Sequence, residues 1–433
     1  MAQQARLTRR MVGVLAVRLP EARLDQVADP RSGRSQRWKL ATLLRAVVVA
    51  MVAGCKSLAQ AEALTDEMSK AVRKRLGIWR RIADTTLRDA LCVLSPDQIR
   101  RSLHALVRAA YRRKALEPDA LPFGVVAMDG KATALPSCDD DYAQRQSQAE
   151  GSRLIGLVRT MTCTLISSRA KPCIDALPIP AATNEMGHFE PALRSLVQAY
   201  KGIDLFRMLT YDAGACSEHN GSVVCELGLH YIFGLKGGQP TLLAEAQRLL
   251  ASLPVERADA SSDDAIGDGH VVRRVYLTEQ MAGFGDWTHL RSALRVESEK
   301  FNLHGERIAY ENRYFIASLP TCRLTAKQWL LLVRRHWGVE NNCHNTLDTA
   351  FKEDDRPWIE SDPQGMLVVA LLRRLAYDVA TLFRAVTQRS TERQATPWLD
   401  ILRWFYNALV GATELDLVEL RTRPPPSEPA LGP

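Results

Sequence analysis

FGVVAMDGK, residues 123–131, decides how the rest of the chain is read. Phe123 to Met128 is a short, almost wholly apolar run, the pattern of a strand buried on both faces, and it stops at Asp129-Gly130-Lys131. The design recurs at LFRMLTYDAG, residues 205–214, where an apolar strand over Leu205–Thr210 stops at Tyr211-Asp212-Ala213-Gly214. Between them, Leu154–Ser167 and Cys173–Pro180 are rich in Leu, Ile, Val and Thr and flank the polar break SRAKP, so they pair as an antiparallel hairpin. Glu190–Tyr200 reads as a helix, and after Asp212 come a helix near Ser217–Leu227 and a strand at Tyr231–Leu235. The order is βββαβαβ.

This order is the layout of an α/β, ribonuclease-H-like mixed sheet flanked by helices, in which the first and fourth strands are neighbours. Asp129 and Asp212, just beyond the ends of those strands, then converge although 83 residues separate them. Crevices outside the carboxyl ends of strands are where ligands usually bind. Residues 238–324 interrupt the alternation with strand-like runs at His270–Leu277, Leu290–Val296 and Tyr314–Ala317, a mainly β insertion. Thr325 then caps a long amphipathic helix through Trp329, Leu330, Leu332, Val333 and Trp337 to Phe351, which carries a third acid, Glu340. Three crowded carboxylates raise one another's pKa, so such a site is expected to hold cations. Hard oxygen ligands select Mg2+ or Mn2+, and two such ions suit in-line attack on a phosphodiester. Alone, either aspartate reads as a turn former or helix cap. On a regular helix His336, Glu340, His344 and Asp348 share one face, which makes Asp348 a rival third ligand; Asp348 and Glu353 are otherwise expected in structural hydrogen bonds.

Residues 1–120 carry 24 Lys and Arg against 11 Asp and Glu, while the whole chain is +8, so the positive surplus is N-terminal and the remainder is net acidic. Helices are expected over Trp38–Ala53, from Ser57 to Gly77, from an Asp84 cap, and from Ser95-Pro96 onward. Short basic helices suit a helix-turn-helix DNA reader, or else a helical cap that packs on its neighbour. Further amphipathic helices are read over Met366–Val386 and Trp398–Val410, and PPPSEPALGP at the C-terminus reads as a disordered tail. Nine scattered cysteines without a C-x-x-C pair argue against a disulfide framework or zinc ribbon and fit a reducing cytoplasm. The longest charge-free apolar run, Ala46–Cys55, is about half of what a bilayer requires, so no membrane partner is expected.

VRRHWGVENNCHNTLDTAFKED, Val333–Asp354, resembles the third-acid region of bacterial insertion-sequence DDE transposases, in which H-W-x-x-E-N is followed by His, L-D, Phe and E-D. AMDGK at 127–131 is similar to that family's first-acid motif, Asp212-Ala213 to its second, Asn184-Glu185 to its N-E, and Gly234–Pro240 to its K-G-x-Q-P. Similarity extends to Gly269-His270, Arg273 and Tyr314–Leu319 and to the N-terminal helices, covering about residues 25–385. The resemblance implies that Asp129, Asp212 and Glu340 are a metal-holding catalytic triad, with two Mg2+ or Mn2+ ions per site. It further implies cleavage and strand transfer at the terminal inverted repeats of a mobile element, by dimers or larger assemblies on paired DNA ends in a bacterial cytoplasm. Lys131, Lys236, Arg334, Arg335, His336, Asn341 and His344 are candidate DNA contacts. Two departures stand out: Asn345 where an aromatic commonly follows the histidine, and Leu347 where wider relatives carry a lysine. The implied organisation is a transposase-associated helical DNA-binding domain (1–120), a catalytic core (121–237 and 325–390) interrupted by the β insertion (238–324), and a C-terminal helix with its tail (391–433). Alternatives are a catalytically silent DNA-binding descendant of a transposase, or a ribonuclease-H-like nuclease.

Overall fold

The computed structural model describes residues 2–33, 36–136, 140–147, 154–388 and 390–418; Cys138 and the tail expected at 424–433 lie outside them. In chain order the helices begin with α1 (Ala2–Glu21), α2 (Leu40–Val52), α3 (Leu58–Glu67), α4 (Lys70–Leu76), α5 (Asp84–Cys92) and α6 (Pro96–Arg112). The middle of the chain alternates β1 (Val125–Pro136), β2 (Ala143–Ser147), β3 (Leu154–Leu165), β4 (Cys173–Ile179), α7 (Phe189–Ala199), β5 (Met208–Tyr211), α8 (Glu218–Glu226) and β6 (His230–Leu235). There follow α9 (Pro240–Leu250), β7 (Ala260–Ile266), β8 (Gly269–Thr278), β9 (Ser292–Phe301) and β10 (Arg307–Ala317). The chain closes with α10 (Ala326–His336), α11 (Asn345–Thr349), α12 (Pro363–Leu382), α13 (Thr391–Gln394), α14 (Trp398–Gly411) and α15 (Glu414–Val418). Two compact units result, residues 1–106 with 347–433, and residues 107–346.

The first unit is helical, and the N-terminal helices share it with the C-terminal ones: α12 packs on α2 and α5, and α1 on α14. Sequence alone did not draw that partition. Its reason is that α2 and α12 are buried on nearly all sides, and a helix apolar all round must be enclosed by others. The helix expected from Ser57 to Gly77 is two helices. Ser69 caps α4, accepting from Val72 N at 3.3 Å, and Gly77 ends it at φ 71°. Glu353 is 2% exposed and takes a 2.7 Å hydrogen bond from Arg374, with Arg373 at 3.6 Å.

In the second unit one mixed sheet runs β2-β3-β1-β5-β6-β10-β9-β8-β7, with β4 on β3. β1 pairs parallel with β5 and β5 parallel with β6, so the two aspartate strands are neighbours as the element order predicted. Alternation assigns the faces. Val125, Ala127, Met208 and Ile232 pack with Trp329, Leu332 and Val333 of α10, whereas Tyr211 and Phe233 meet Phe189 of α7 edge-on at 5.4 and 6.3 Å. The strands after residue 238 extend this same sheet, because Tyr314–Ala317 adds antiparallel to Leu235–Ile232 and completes the edge of β6; α9, unforeseen in the sequence, precedes them. Gly124 allows β5 to approach, since a Cβ there would stand 1.9 Å from the Leu205 carbonyl oxygen.

Candidate active site

The parallel register of β1 with β5 ends at Ala127 opposite Thr210, and the acids lie just past that point. β1 itself continues, so Asp129 sits within a strand, opposite Thr162 of β3, rather than beyond its end as the sequence implied. The reason is that β3 is long enough to keep pairing with β1 out to Pro136. Asp212 does leave its strand. It caps a short 3-10 turn, Oδ1 accepting from Gly214 N at 2.8 Å, and is exposed.

Glu340 arrives differently from expectation. The helix expected from Thr325 to Phe351 breaks after His336, turns at Trp337, and continues as a π-helical turn over Val339–His344 before α11. The start is as read: Thr325 accepts from Gln328 N while the Gln328 side chain reaches back, a capping box. The wide turn changes the four-residue spacing on which the shared-face argument for His336, Glu340, His344 and Asp348 rested. Asp348 falls in the other unit.

Electrostatics tie the three acids together. The Glu340 carboxyl is raised above its ordinary pKa, first by desolvation and then by the negative charge of Asp129, with Asp212 adding to it and His344 opposing. His344 places Nδ1 3.4 Å from Asp129 Oδ2, and its Nε2, buried, has no hydrogen-bond partner among the described residues. Among those residues no three His, Cys, Asp or Glu side chains already stand at ligating spacing. The donors nonetheless suit a hard divalent cation: mutually repelling carboxylates on open ground, two of them on exposed residues.

Glu185 is the residue whose place sequence did not assign. Its Oε1 accepts from Gly130 N at 2.9 Å and from the Tyr211 hydroxyl at 2.5 Å, so it clasps the residue after Asp129 to the residue before Asp212. The clasp is fixed by Arg159, which donates to Thr183 O at 2.7 Å, and by Asn184, which accepts from Gly187 N at 2.9 Å. A Cβ on Gly130 would stand 2.0 Å from the Glu185 carboxylate. Gly130→Ala must therefore push the clasp open, and because outer partners of a site typically carry about 10–100-fold in activity or metal affinity, a loss of that size is expected in Mn2+ titration. An unchanged Mn2+ affinity would show that the clasp does not govern the acids. The sequence signal was present in the Asn184-Glu185 match but carried no role.

The other candidates separate by what they touch. Arg335 is committed to Asp119 and the Ser167 carbonyl, at 2.6 Å to Asp119 O and 3.1 Å to both Asp119 Oδ2 and Ser167 O. Arg334 pairs with Asp264 at 3.0 Å. Lys236 and Asn341 are exposed, and Lys131 is half-buried on β1 opposite Thr160. Arg313, unmarked in the sequence, stacks 4.2 Å over Trp337 and lends positive charge beside Glu340. His336 is buried, hydrogen-bonded to Thr210 Oγ1 and edge-on to Phe315 and Trp337. Burial first, then Arg313 and Lys236, outweigh Asp129 and bring its pKa to about 4, so the ring is neutral at pH 7. A histidine with a depressed folded pKa contributes stability that is present above its unfolded value and lost as pH falls toward the folded one. From about 6.5 to about 4 this is about 3 kcal/mol. Urea unfolding is expected to show this acid loss in the native chain and not in His336→Gln; equal slopes would remove His336 as its source.

Two parallel strands thus carry Asp129 and Asp212 side by side in an α/β protein. Residues 22–107 match the family described as DDE_Tnp_1-associated. The H repeat-associated putative transposase YhhI and the protein YbfL, both of Escherichia coli (strain K12), are each 26% identical to the chain over 158 residues, 34% of this chain and 41% of the relative. The chain thus spans about two-fifths of the length of these curated relatives. The helical segment and these partial likenesses support a relationship to bacterial DDE transposases. Among the described residues no helix is long and apolar enough to cross a membrane.

Proposed function

We propose that this chain is a DNA transposase of ribonuclease-H-like fold that cuts DNA at the terminal inverted repeats of an insertion sequence and joins the ends to a target, with Asp129, Asp212 and Glu340 as its catalytic acids. The observation that carries this reading is the parallel pairing of β1 with β5, which sets Asp129 and Asp212 on neighbouring strands of the unit that also carries Glu340. Two Mg2+ or Mn2+ ions, held by these three carboxylates, would supply charge neutralisation and activation of the attacking hydroxyl. The protein's own part is positional. Glu185 holds together the residues beside the two aspartates, Gly130 and Tyr211, and His336 ties α10 to β5 in a neutral form that adds no charge to the site. Lys131, Lys236 and Arg313 supply positive charge for phosphates on the same unit; Arg313 does so while paired with Glu311 at 2.6 Å, as Arg334 is paired with Asp264 and Arg335 with Asp119. Assembly on paired DNA ends as a dimer or larger belongs to the same reading.

The test is incubation of the full chain with the DNA that flanks its own gene, with and without Mn2+, followed by mapping of the cut ends. Metal-dependent breaks at a pair of inverted repeats are expected. Breaks that are scattered, or that need no metal, would refute the reading.

A further inference from the structure

The helical unit holds a cleft of about 700 Å³ lined by Lys56, Ser57, Gln60, Lys352, Asp355 and Arg356. One wall is the start of α3, where Ser57 accepts from Gln60 N at 3.2 Å and Gln60 Oε1 accepts from Lys56 N at 2.6 Å. The other is the turn 352–356, in which Lys352 adopts φ 58° and pairs with Asp355 at 3.3 Å. The Lys56 ammonium donates to the Ala350 carbonyl and so bridges the walls. Three cations face one carboxylate there. Beneath them Arg373, fully buried, donates to the Arg356 carbonyl at 2.8 Å. Desolvation first, then the positive charge of Arg373 and, less, of Lys352 lower the Lys56 pKa to about 8, with Cys55 opposing. The first turn of α3 adds the positive end of a helix dipole. A half-buried lysine kept among cations is relieved by an anion.

We infer that this cleft is a phosphate-binding site, with Lys56 and Arg356 as its principal ligands, suited to a phosphodiester of a DNA backbone. That the phosphate comes from DNA rests on the function proposed above; that the cleft takes phosphate does not.

The experiment uses the full chain without divalent ions, so it is independent of the catalytic acids. Inorganic phosphate is titrated calorimetrically at constant ionic strength, and a 30-base-pair duplex is bound across about 50–200 mM salt. Lys56→Gln with Arg356→Gln is expected to weaken phosphate binding at least about tenfold and to lower the log–log salt slope by about 1–2, since each phosphate contact contributes about 0.9. Arg356→Lys should restore most of both. Loss of phosphate binding with an unchanged salt slope also supports the site, with free phosphate as its ligand. Should the double variant fail to fold, Arg356→Gln alone, at an exposed position, serves the same comparison. Unchanged phosphate affinity in a folded variant overturns the inference.

Discussion

Asp129→Asn is expected to abolish metal-dependent nicking of end-bearing DNA, by at least about 100-fold, while DNA binding stays near that of the native chain. The substitution keeps the shape of the side chain and removes its charge and one ligand oxygen. Even partners one step outside a metal site cost about 10–100-fold, so an acid inside it should cost no less. The same change has a second readout that needs no activity. Asp129 is the largest charged contribution holding the Glu340 carboxyl high, so in metal-free Asp129→Asn the Glu340 titration should move down toward the ordinary carboxylate range. It should also leave His344 without the carboxylate that stands 3.4 Å from its Nδ1. Nicking at the native rate would remove Asp129 from the site; an unmoved Glu340 titration would show that the acids do not meet.

Glu353→Gln should destabilise the helical unit by about 3–5 kcal/mol, the cost of removing one partner from a buried ion pair. Glu353, Arg373 and Arg374 are each 2% exposed or less, so a neutral amide would leave two guanidinium groups in the interior of the helical unit without their shared carboxylate. For a unit of this size the melting temperature should fall by roughly 10 °C. Asp129→Asn, which relieves repulsion among half-exposed acids, should leave it unchanged or slightly higher. A Glu353→Gln protein that melts with the native chain would mean that water or another group already serves the two arginines. Glu353 stands in the E-D of the stretch that resembles a third-acid motif, and its expected structural hydrogen bonding is what the structure shows.

Much of this was legible one segment at a time. The apolar runs that lead to Asp129 and Asp212 fall in β1, which continues past Asp129, and in β5; Ser57 and Thr325 cap the helices they precede, and Gly77 ends one. These signals depend on residues within a turn or two of each other, which is all a local pattern can report. The pairing of β1 with β5 also followed, because the element order βββαβαβ is the layout in which those two strands are neighbours.

The tertiary structure alone decided that Glu185 would clasp Gly130 and Tyr211, that the third-acid helix would widen into a π turn at Glu340, that Arg335 would be taken by Asp119, and that residues 347–433 would share a unit with residues 1–106. Each is a meeting of segments distant in the chain, set by where apolar surface from all of them can be buried at once. No window of sequence contains that sum, so Asp129, Asp212 and Glu340 could be proposed from the chain, but the contacts around them could not.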